Sequence, residues 1–327
     1  MPVPTSDRRL LTLAELVFAN ILWGSLYPAG KPVLAVVPAS HVALVRASVA
    51  FLALGGLVVA RGRAGEAWAE LRTRPWDTAV LGLLSFFLSS VLAMLALSYL
   101  PASVVGFVSN TSPLWLSLGA VAVYRPKDSR RMLFGAALAL AGVGLVLFRQ
   151  GVQENDASAL LGGQGLDSLG IAIALVCSGV IAVGAIWGRR VMPGRDPMVM
   201  TSLACAWGAL PLVALAAANG GAAPLLAAPP TAKALLLYLG VGCTAVNFAL
   251  YNHALRSMSA ERVSVFQYLT PLVSALLAFA FLEEPITWPL VVGGVAILVG
   301  IALTQERWWT ERRAADGFGE PVERATG

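Results

Sequence analysis

Two prolines lie inside apolar segments of this sequence. The polar residues beside them are the ones best suited to contacting a solute. Each proline lacks an N–H group and displaces the helical hydrogen bond of the carbonyl four residues earlier, so a helix there contains carbonyls that need another partner. The prolines and the neighbours predicted to line a polar path are Ser109, Asn110, Ser112, Pro113, Gln267, Thr270 and Pro271. The spacing of three predicts that Ser109 and Ser112 share one helix face, and likewise Gln267 and Thr270.

Other polar and aromatic side chains interrupt apolar segments elsewhere. Amides, phenols and cations are costly in hydrocarbon unless they line a cavity or pair with another helix. We therefore predict that the same path is lined by Trp23, Tyr27, Arg46, Ser85, Ser89, Asn247 and Tyr251. Two alternatives stay open. In the first alternative, the hydroxyls and amides serve as contacts between helices. In the second, which concerns Arg46, the charge reaches the membrane surface from a nearby span end.

Residues for enzymatic chemistry are scarce. The chain has two histidines, and its sequence contains no glycine-rich phosphate loop, no metal-ligand spacing and no convincing nucleophile–base pair. Cys177, Cys205 and Cys243 lie in apolar segments without paired spacing, so neither a disulfide framework nor a zinc site is predicted. The sequence therefore predicts a protein that is not an enzyme and has no metal or cofactor.

The composition places these residues in a lipid bilayer. Hydrophobic residues make up 57% of the chain and charged residues 13%, with a mean hydropathy of +0.75, whereas soluble proteins have about 25% charged residues. Unbroken runs such as "TAVLGLLSFFLSSVLAMLAL" match the roughly 20 apolar residues of a membrane-spanning helix. They do not resemble the alternating strands, about ten residues long, of a barrel. The predicted fold is an all-α integral membrane protein.

Ten membrane spans are predicted along the chain. They cover residues 11–29, 41–60, 78–99, 104–124, 132–149, 168–187, 198–217, 234–255, 263–282 and 288–304. Lys and Arg cluster in the loops on one side, which by the positive-inside rule predicts cytoplasmic termini and an even number of spans. The same rule accounts for the pI of about 9.4 without a nucleic-acid partner. The predicted location is the inner (plasma) membrane.

A duplication organises the chain. Residues 96–147 recur without a gap as residues 254–305, and Pro113, Gly135 and Gly142 keep register with Pro271, Gly293 and Gly300. The predicted units are a five-helix repeat at 1–149, an extracytoplasmic linker at 150–167, a second repeat at 168–304 and a cytoplasmic tail at 305–327. Five spans per unit make the second copy inverted, which predicts a binding site near the bilayer midplane. The glycines predict close helix packing.

Three charged residues near span ends have separate interpretations. Lys31 is interpreted as an anchor rather than a ligand. Glu15 lies close to the predicted cytoplasmic end of the first span, shallower than a typical proton-coupling carboxylate. Glu284 is predicted to mark the outer end of the ninth span.

At this point the sequence resembles the EamA-type branch of the drug/metabolite transporter superfamily, in both halves. The resemblance is carried by "ALSYLPASVVGFVSNTSPLW" and by "ALRSMSAERVSVFQYLTPLVSALLAFAFLEEPITW". It implies ten spans, cytoplasmic termini and export or exchange of amino acids and other small metabolites. It places on family-typical positions Trp23, Lys31, Arg46, Pro113, Tyr268, Pro271, Glu284 and Pro285. The segment "YRPKDSRR" departs from the family's Glu-containing turn. Trp23 occupies the place of the proton-exchanging glutamate of the related small multidrug pumps, so that coupling is not implied.

The functional hypothesis is a secondary transporter that exports an amino acid or related metabolite through a central cavity by alternating access. Its partners would be a small-molecule solute and the lipid bilayer. An oligomer is compatible with the sequence but not indicated by it. The alternatives are an exporter of cationic drugs or a metabolite importer and, outside this class, a non-transporting membrane scaffold or a membrane-embedded enzyme.

Overall fold

A computed structural model describes residues 6–124, 129–153, 166–257, 263 and 266–305 of the chain. These residues form helices and no strand, as predicted. The helices are α1 (Ser6–Gly24), α2 (Leu26–Leu34), α3 (Ala39–Ala60), α4 (Ala64–Thr73), α5 (Pro75–Tyr99), α6 (Ala102–Ser109), α7 (Ser112–Tyr124), α8 (Ser129–Gln153), α9 (Leu166–Val191), α10 (Pro197–Ala218), α11 (Ala223–Ala227), α12 (Pro230–Gly240, continuing through Val241–Val246 and Asn247–Ser257), α13 (Leu269–Leu282) and α14 (Trp288–Gln305).

Six of the described helices are long and apolar enough to cross a bilayer, namely α3, α5, α8, α9, α10 and α12. The helices α13 and α14 are shorter apolar segments. The predicted span 11–29 coincides with two helices, because α1 ends at Gly24 and the chain continues after a turn at Ser25 as α2 to Leu34. Pro28 contributes to this interruption, since it cannot donate a hydrogen bond to the Gly24 carbonyl.

The predicted fourth span is broken in its middle. The α6 helix ends at Ser109, and α7 begins at Ser112. Asn110 Nδ2 donates to the Gly106 carbonyl at 2.6 Å and Thr111 Oγ1 donates to the Val108 carbonyl at 2.7 Å, so these side chains satisfy the carbonyls at the end of α6. The prediction that Ser109 and Ser112 share one helix face is therefore wrong, because the helix stops between them.

The predicted ninth span has a comparable interruption. Gln267 lies in a turn before α13, whereas Thr270 lies inside that helix. The shared helix face predicted for this pair is wrong for the same reason as in the fourth span. A proline follows each turn, and its missing N–H removes one helical hydrogen bond at the break.

Two π-helical turns widen α5 and α12. They lie at Leu83–Leu88 and Val241–Val246, which correspond under the same sequence offset that relates Pro113 to Pro271. Gly82 and Gly240 precede them and allow close approach: a Cβ atom on Gly82 would clash with the Ala204 carbonyl, and one on Gly240 would lie 2.7 Å from Val49 Cβ. Such turns place an extra residue in a helix and occur frequently at functional sites.

The helices α8 and α14 pack through glycines, which confirms the close packing predicted for these residues. Gly142 faces the Gly293 carbonyl, and Gly300 faces the Gly135 carbonyl. Gly135 thus pairs with Gly300, and Gly142, further along α8, pairs with Gly293, which is earlier in α14. The two helices therefore run antiparallel. The contact lies within one chain.

Arginine–carboxylate pairs connect the loops at the end of the bundle that carries α4. Arg63 contacts Asp196, while Arg195 lies 2.7 Å from Asp77 and 3.4 Å from Glu70. Burial alone would raise the pKa of Asp196, but hydrogen bonds from the Val199 N–H, from Arg63 and from the Met198 N–H outweigh it, so this pKa lies below its ordinary value.

Replacing Asp196 with alanine should lower the free energy of unfolding at pH 7 by about 1–2 kcal/mol, because Asp196 is also the N-cap of α10. A carboxylate with a depressed folded-state pKa stabilises fully above its unfolded pKa of about 3.9, and this contribution disappears as pH falls through the folded value. Thermal unfolding in detergent should therefore show a smaller difference between variant and parent in acid. Asp196→Asn keeps the cap and should lose less. A deficit that does not change with pH would contradict the assignment to the ionised carboxylate.

Candidate functional site

Four aromatic rings meet between α1, α5 and α12. The Trp23 ring centroid lies 5.8 Å from that of Phe248 and 6.2 Å from that of Tyr251, and the Phe86 and Phe248 centroids are 5.3 Å apart. We call these four residues the aromatic cluster. Trp23 and Tyr251 were predicted as site residues, whereas Phe86 and Phe248 were missed because phenylalanine in an apolar run carries no distinguishing signal.

A small cavity lies where the two helix breaks meet α14. Predicted residues from both breaks line it, together with Tyr268 and apolar side chains of α6 and α14. The lining residues are Phe107, Asn110, Ser112, Pro113, Gln267, Tyr268, Pro271, Ile297, Leu298 and Ile301. We call it the helix-break cavity. Gln267 Nε2 also donates to the Tyr251 hydroxyl at 3.3 Å, which connects the cavity to the aromatic cluster.

Arg46 lies inside the bundle. Only 8% of its surface is exposed. Arg46 lies within electrostatic range of Tyr27 and of the three buried cysteines, which come from α9, α10 and α12. The side chain is thus enclosed by neighbouring helices, an arrangement that spacing along α3 does not reveal. This enclosure favours the interpretation that Arg46 belongs to the interior of the bundle over the alternative that its charge reaches the membrane surface.

Tyr27 lies within electrostatic range of this arginine, and Ser109 lies beside Tyr27. Ser109 is 2% exposed and lies beside the Tyr27 hydroxyl and the Cys177 thiol, yet its Oγ has no hydrogen-bond partner of ordinary geometry. Among the other predicted serines, Ser89 makes backbone contacts with both its hydroxyl and its carbonyl. Ser89 Oγ donates to the Ser85 carbonyl at 2.7 Å, and the Cys177 thiol donates to the Ser89 carbonyl at 3.3 Å.

The predicted residues Asn247 and Thr270 connect helices to α1. Asn247 Nδ2 donates to the Ala19 carbonyl at 3.1 Å, and Thr270 Oγ1 donates to Asn20 Oδ1 at 3.0 Å. These contacts favour the packing alternative for both residues, although Asn247 Oδ1 is buried without a partner. Asn20, which is 1% exposed, was missed even though an amide within an apolar segment was an available signal.

Lys31 and Glu284 satisfy the ends of α5 and α6. Lys31 Nζ donates to the carbonyls of Leu97 and Leu100 at 2.7 and 2.8 Å, so Lys31 caps the end of α5 inside the protein, a role that the anchor interpretation did not include. Glu284 accepts hydrogen bonds from the Ala102 and Ser103 N–H groups and from the Ser103 hydroxyl. This function of Glu284 was not predicted.

The first-span carboxylate, Glu15, is paired. Its Oε2 lies 2.8 Å from His253 Nδ1 on α12. Across the residues that the structure describes, no three His, Cys, Asp or Glu side chains come together as a metal site.

The predicted site residues thus fall into neighbouring groups rather than one. The aromatic cluster and the helix-break cavity share the Tyr251–Gln267 hydrogen bond. Arg46, Tyr27 and Ser109 form a second polar centre. Amides, hydroxyls, aromatic faces and one cation are suited to binding a small polar molecule reversibly.

The known proteins to which this chain is similar are named as transporters or exporters. Residues 11–148 and residues 168–305 each match the model of the EamA-like transporter family. An uncharacterised transporter of Archaeoglobus fulgidus is 27% identical over 241 residues, which cover 73% of this chain and 77% of the relative. A protein of Streptantibioticus cattleyicolor named as a probable terminal-alkyne amino-acid exporter is 24% identical, with 93% of this chain and 96% of the relative covered.

A solved crystal structure, described only as that of a protein, has a similar fold. It is 22% identical, the match covers 91% of this chain and 97% of that one, and the TM-score is 0.58. At this level of identity the similarity concerns the fold alone.

Proposed function

Because the chain belongs to the EamA-like transporter family, we propose that it is a secondary transporter that exports amino acids or related small metabolites across the inner (plasma) membrane by alternating access. Membership makes it a transporter, and its apolar helices make it a multi-pass membrane protein. Amino acids are proposed because one relative is named as an amino-acid exporter and because amide, hydroxyl and aromatic groups surround the candidate site.

Ten spans in two inverted five-helix repeats, with both termini cytoplasmic, form the proposed architecture. The repeats would be residues 1–149 and 168–304, joined by an extracytoplasmic linker and followed by a tail. The antiparallel glycine contact supports this proposal, since exchanging the two repeats converts the Gly142–Gly293 contact into the Gly300–Gly135 contact. The corresponding π-helical turns in α5 and α12 support it as well.

The helix-break cavity is the observation that carries the proposed mechanism. Its lining combines Asn110 and Pro113 from one proposed repeat with Gln267 and Pro271 from the other. A solute bound between two such units becomes accessible to one side and then the other when the units tilt relative to each other. Broken helices suit this task because their free backbone groups line a cavity instead of contacting lipid.

An exporter of cationic compounds is the second candidate. The faces of Trp23, Tyr251 and Phe248 would attract a cation. The positive charge of Arg46, which is buried in the bundle, opposes this candidate, because a like charge in a low-dielectric interior is repelled.

Counterflow in proteoliposomes tests the proposed function. Vesicles loaded with an unlabelled amino acid should accumulate the same labelled amino acid from outside, for at least one member of a panel. Gln267→Ala should reduce this flux about three- to tenfold, because it removes one uncharged hydrogen-bonding group from the cavity, and the yield of folded protein should not change.

Asn219→Ala is the matched control, since Asn219 is an exposed amide whose side chain contacts its own helix. Its flux should equal that of the parent. Folded protein without flux of any amino acid, metabolite or cationic compound would contradict transport and favour the scaffold. Flux of cationic drugs alone would support the second candidate.

A further inference from the structure

Arg46 carries a positive charge in the bundle interior without a hydrogen bond or ion pair to any residue that the structure describes. Its Nε is buried and unpartnered. The residue as a whole keeps 8% of its surface exposed. The groups within electrostatic range are a phenol and three thiols, which are uncharged at neutral pH. An isolated buried charge is strongly unfavourable, so its presence requires an explanation.

Two hydroxyl groups accompany this charge. Tyr27 comes from α2 and is 6% exposed, and Ser109 is the last residue of α6, where the helix breaks. The Ser109 hydroxyl is almost fully buried and has no partner at ordinary hydrogen-bond geometry, although the Tyr27 hydroxyl and the Cys177 thiol lie beside it. We call Arg46, Tyr27 and Ser109 the Arg46 pocket. Its members come from three helices, with Tyr27 beside both of the others, and it contains no carboxylate that would neutralise the guanidinium.

We infer that the Arg46 pocket binds a single carboxylate group of the solute. This inference rests on the proposed function. A guanidinium donates two parallel hydrogen bonds to the two oxygens of a carboxylate. One cation neutralises one negative charge, whereas a doubly charged phosphate would leave an uncompensated charge in a low-dielectric site. The neighbouring hydroxyls provide further donors to the same oxygens.

The rest of the solute would lie toward the aromatic cluster. Ala50 is four residues after Arg46 on α3 and packs in one apolar group with Phe86 and Phe248. Four helical residues correspond to about 6 Å, which is the length of a small amino acid. The pocket therefore selects small carboxylic acids with an apolar or aromatic side chain, with or without an ammonium group, and rejects cations that lack a carboxylate.

Thermal unfolding of the purified full-length protein in detergent tests this assignment with three probes. L-Phenylalanine and 3-phenylpropionate carry a carboxylate, and L-phenylalaninamide has an uncharged amide in its place. The Tm should rise with the first two compounds and stay unchanged with the third. Chloride alone should produce no comparable rise.

Arg46→Met keeps the side-chain volume and removes the charge. It should weaken the binding of L-phenylalanine at least about thirtyfold, while the Tm without ligand stays the same or rises because an unpaired charge is gone. Arg46→Lys should bind with intermediate affinity, since it keeps the charge without the planar fork. The matched control is Arg61→Met. Arg61 follows directly after the same helix and contacts Met198 outside the pocket. It should respond to ligand like the parent.

Several results would overturn the assignment. The first two are a Tm rise with L-phenylalaninamide equal to that with L-phenylalanine, and a Tm rise with chloride as large as that with L-phenylalanine. The other two are no Tm change with either carboxylate, and a Tm rise with L-phenylalanine in Arg46→Met equal to that of the parent. Counterflow separates this inference from the proposed function. Amino-acid flux that does not depend on Arg46 contradicts the pocket but not transport, whereas carboxylate binding without flux contradicts transport but not the pocket.

Discussion

Glu284→Gln is expected to lower the free energy of unfolding by about 2–3 kcal/mol, close to the contribution of hydrogen bonds to a charged group. The carboxylate accepts from the Ala102 N–H at 2.7 Å, the Ser103 N–H at 3.0 Å and the Ser103 hydroxyl at 2.6 Å. A glutamine amide has one acceptor oxygen, so its NH₂ group would face one of these donors. The variant should also remove a negative charge that acts on Lys31. Thermal unfolding in detergent and the yield of monodisperse protein measure the effect.

Glu283→Gln is the matched control for this prediction. Glu283 is the neighbouring carboxylate, is exposed, and has a backbone φ of 56° that glutamine tolerates as well as glutamate does. It should unfold at nearly the parent temperature. Equal losses in the two variants would show that overall charge, and not the cap on α6, determines the stability.

The sequence predicts the helices well because their cause is local. Apolar runs of about 20 residues must be helical in lipid, and prolines interrupt the helical hydrogen bonds wherever they occur. Thus both helix breaks lie at the prolines that the sequence singles out. The face shared by Ser109 and Ser112 was predicted incorrectly, because the capping by Asn110 and Thr111 depends on side-chain conformations that residue spacing does not contain.

The candidate site was predicted in part because its residue types are rare in lipid. Trp23, Tyr251 and Gln267 differ from their apolar surroundings, so composition alone identifies them. Phe86 and Phe248 do not differ, and only their packing shows that they belong to the same cluster. Residue type therefore indicates polar members of a membrane site better than apolar ones.

The depth of Arg46 could not be predicted for a different reason. Its distance from a span end is a property of α3, but its burial depends on α9, α10 and α12, which surround it from distant parts of the sequence. The π-helical turns were missed likewise, since no residue pattern in Leu83–Leu88 or Val241–Val246 specifies them. These features depend on tertiary packing, which is where sequence periodicity has least information.

Gly142→Val should destabilise the protein by about 3 kcal/mol, the upper part of the range for overpacking. A Cβ atom at Gly142 would lie 2.6 Å from the Gly293 carbonyl oxygen and 2.8 Å from the Ile297 backbone nitrogen. Backbone atoms in two packed helices cannot move away as a flexible side chain would, so α8 and α14 must separate. The yield of folded protein and its Tm in detergent should both fall.

Gly144→Val separates this clash from the intrinsic cost of valine in a helix. Gly144 is on the same helix, and a Cβ atom there would meet nothing within 4 Å. Both variants exchange the same residue types, so differences in helix propensity cancel, and the gap between their stabilities measures the α8–α14 contact. The loss in Gly142→Val should not depend on protein concentration, because the contact lies within one chain. A loss that concentration reverses would instead place the glycine face between two copies of the protein, and equal stabilities of the two variants would contradict the close approach of the helices.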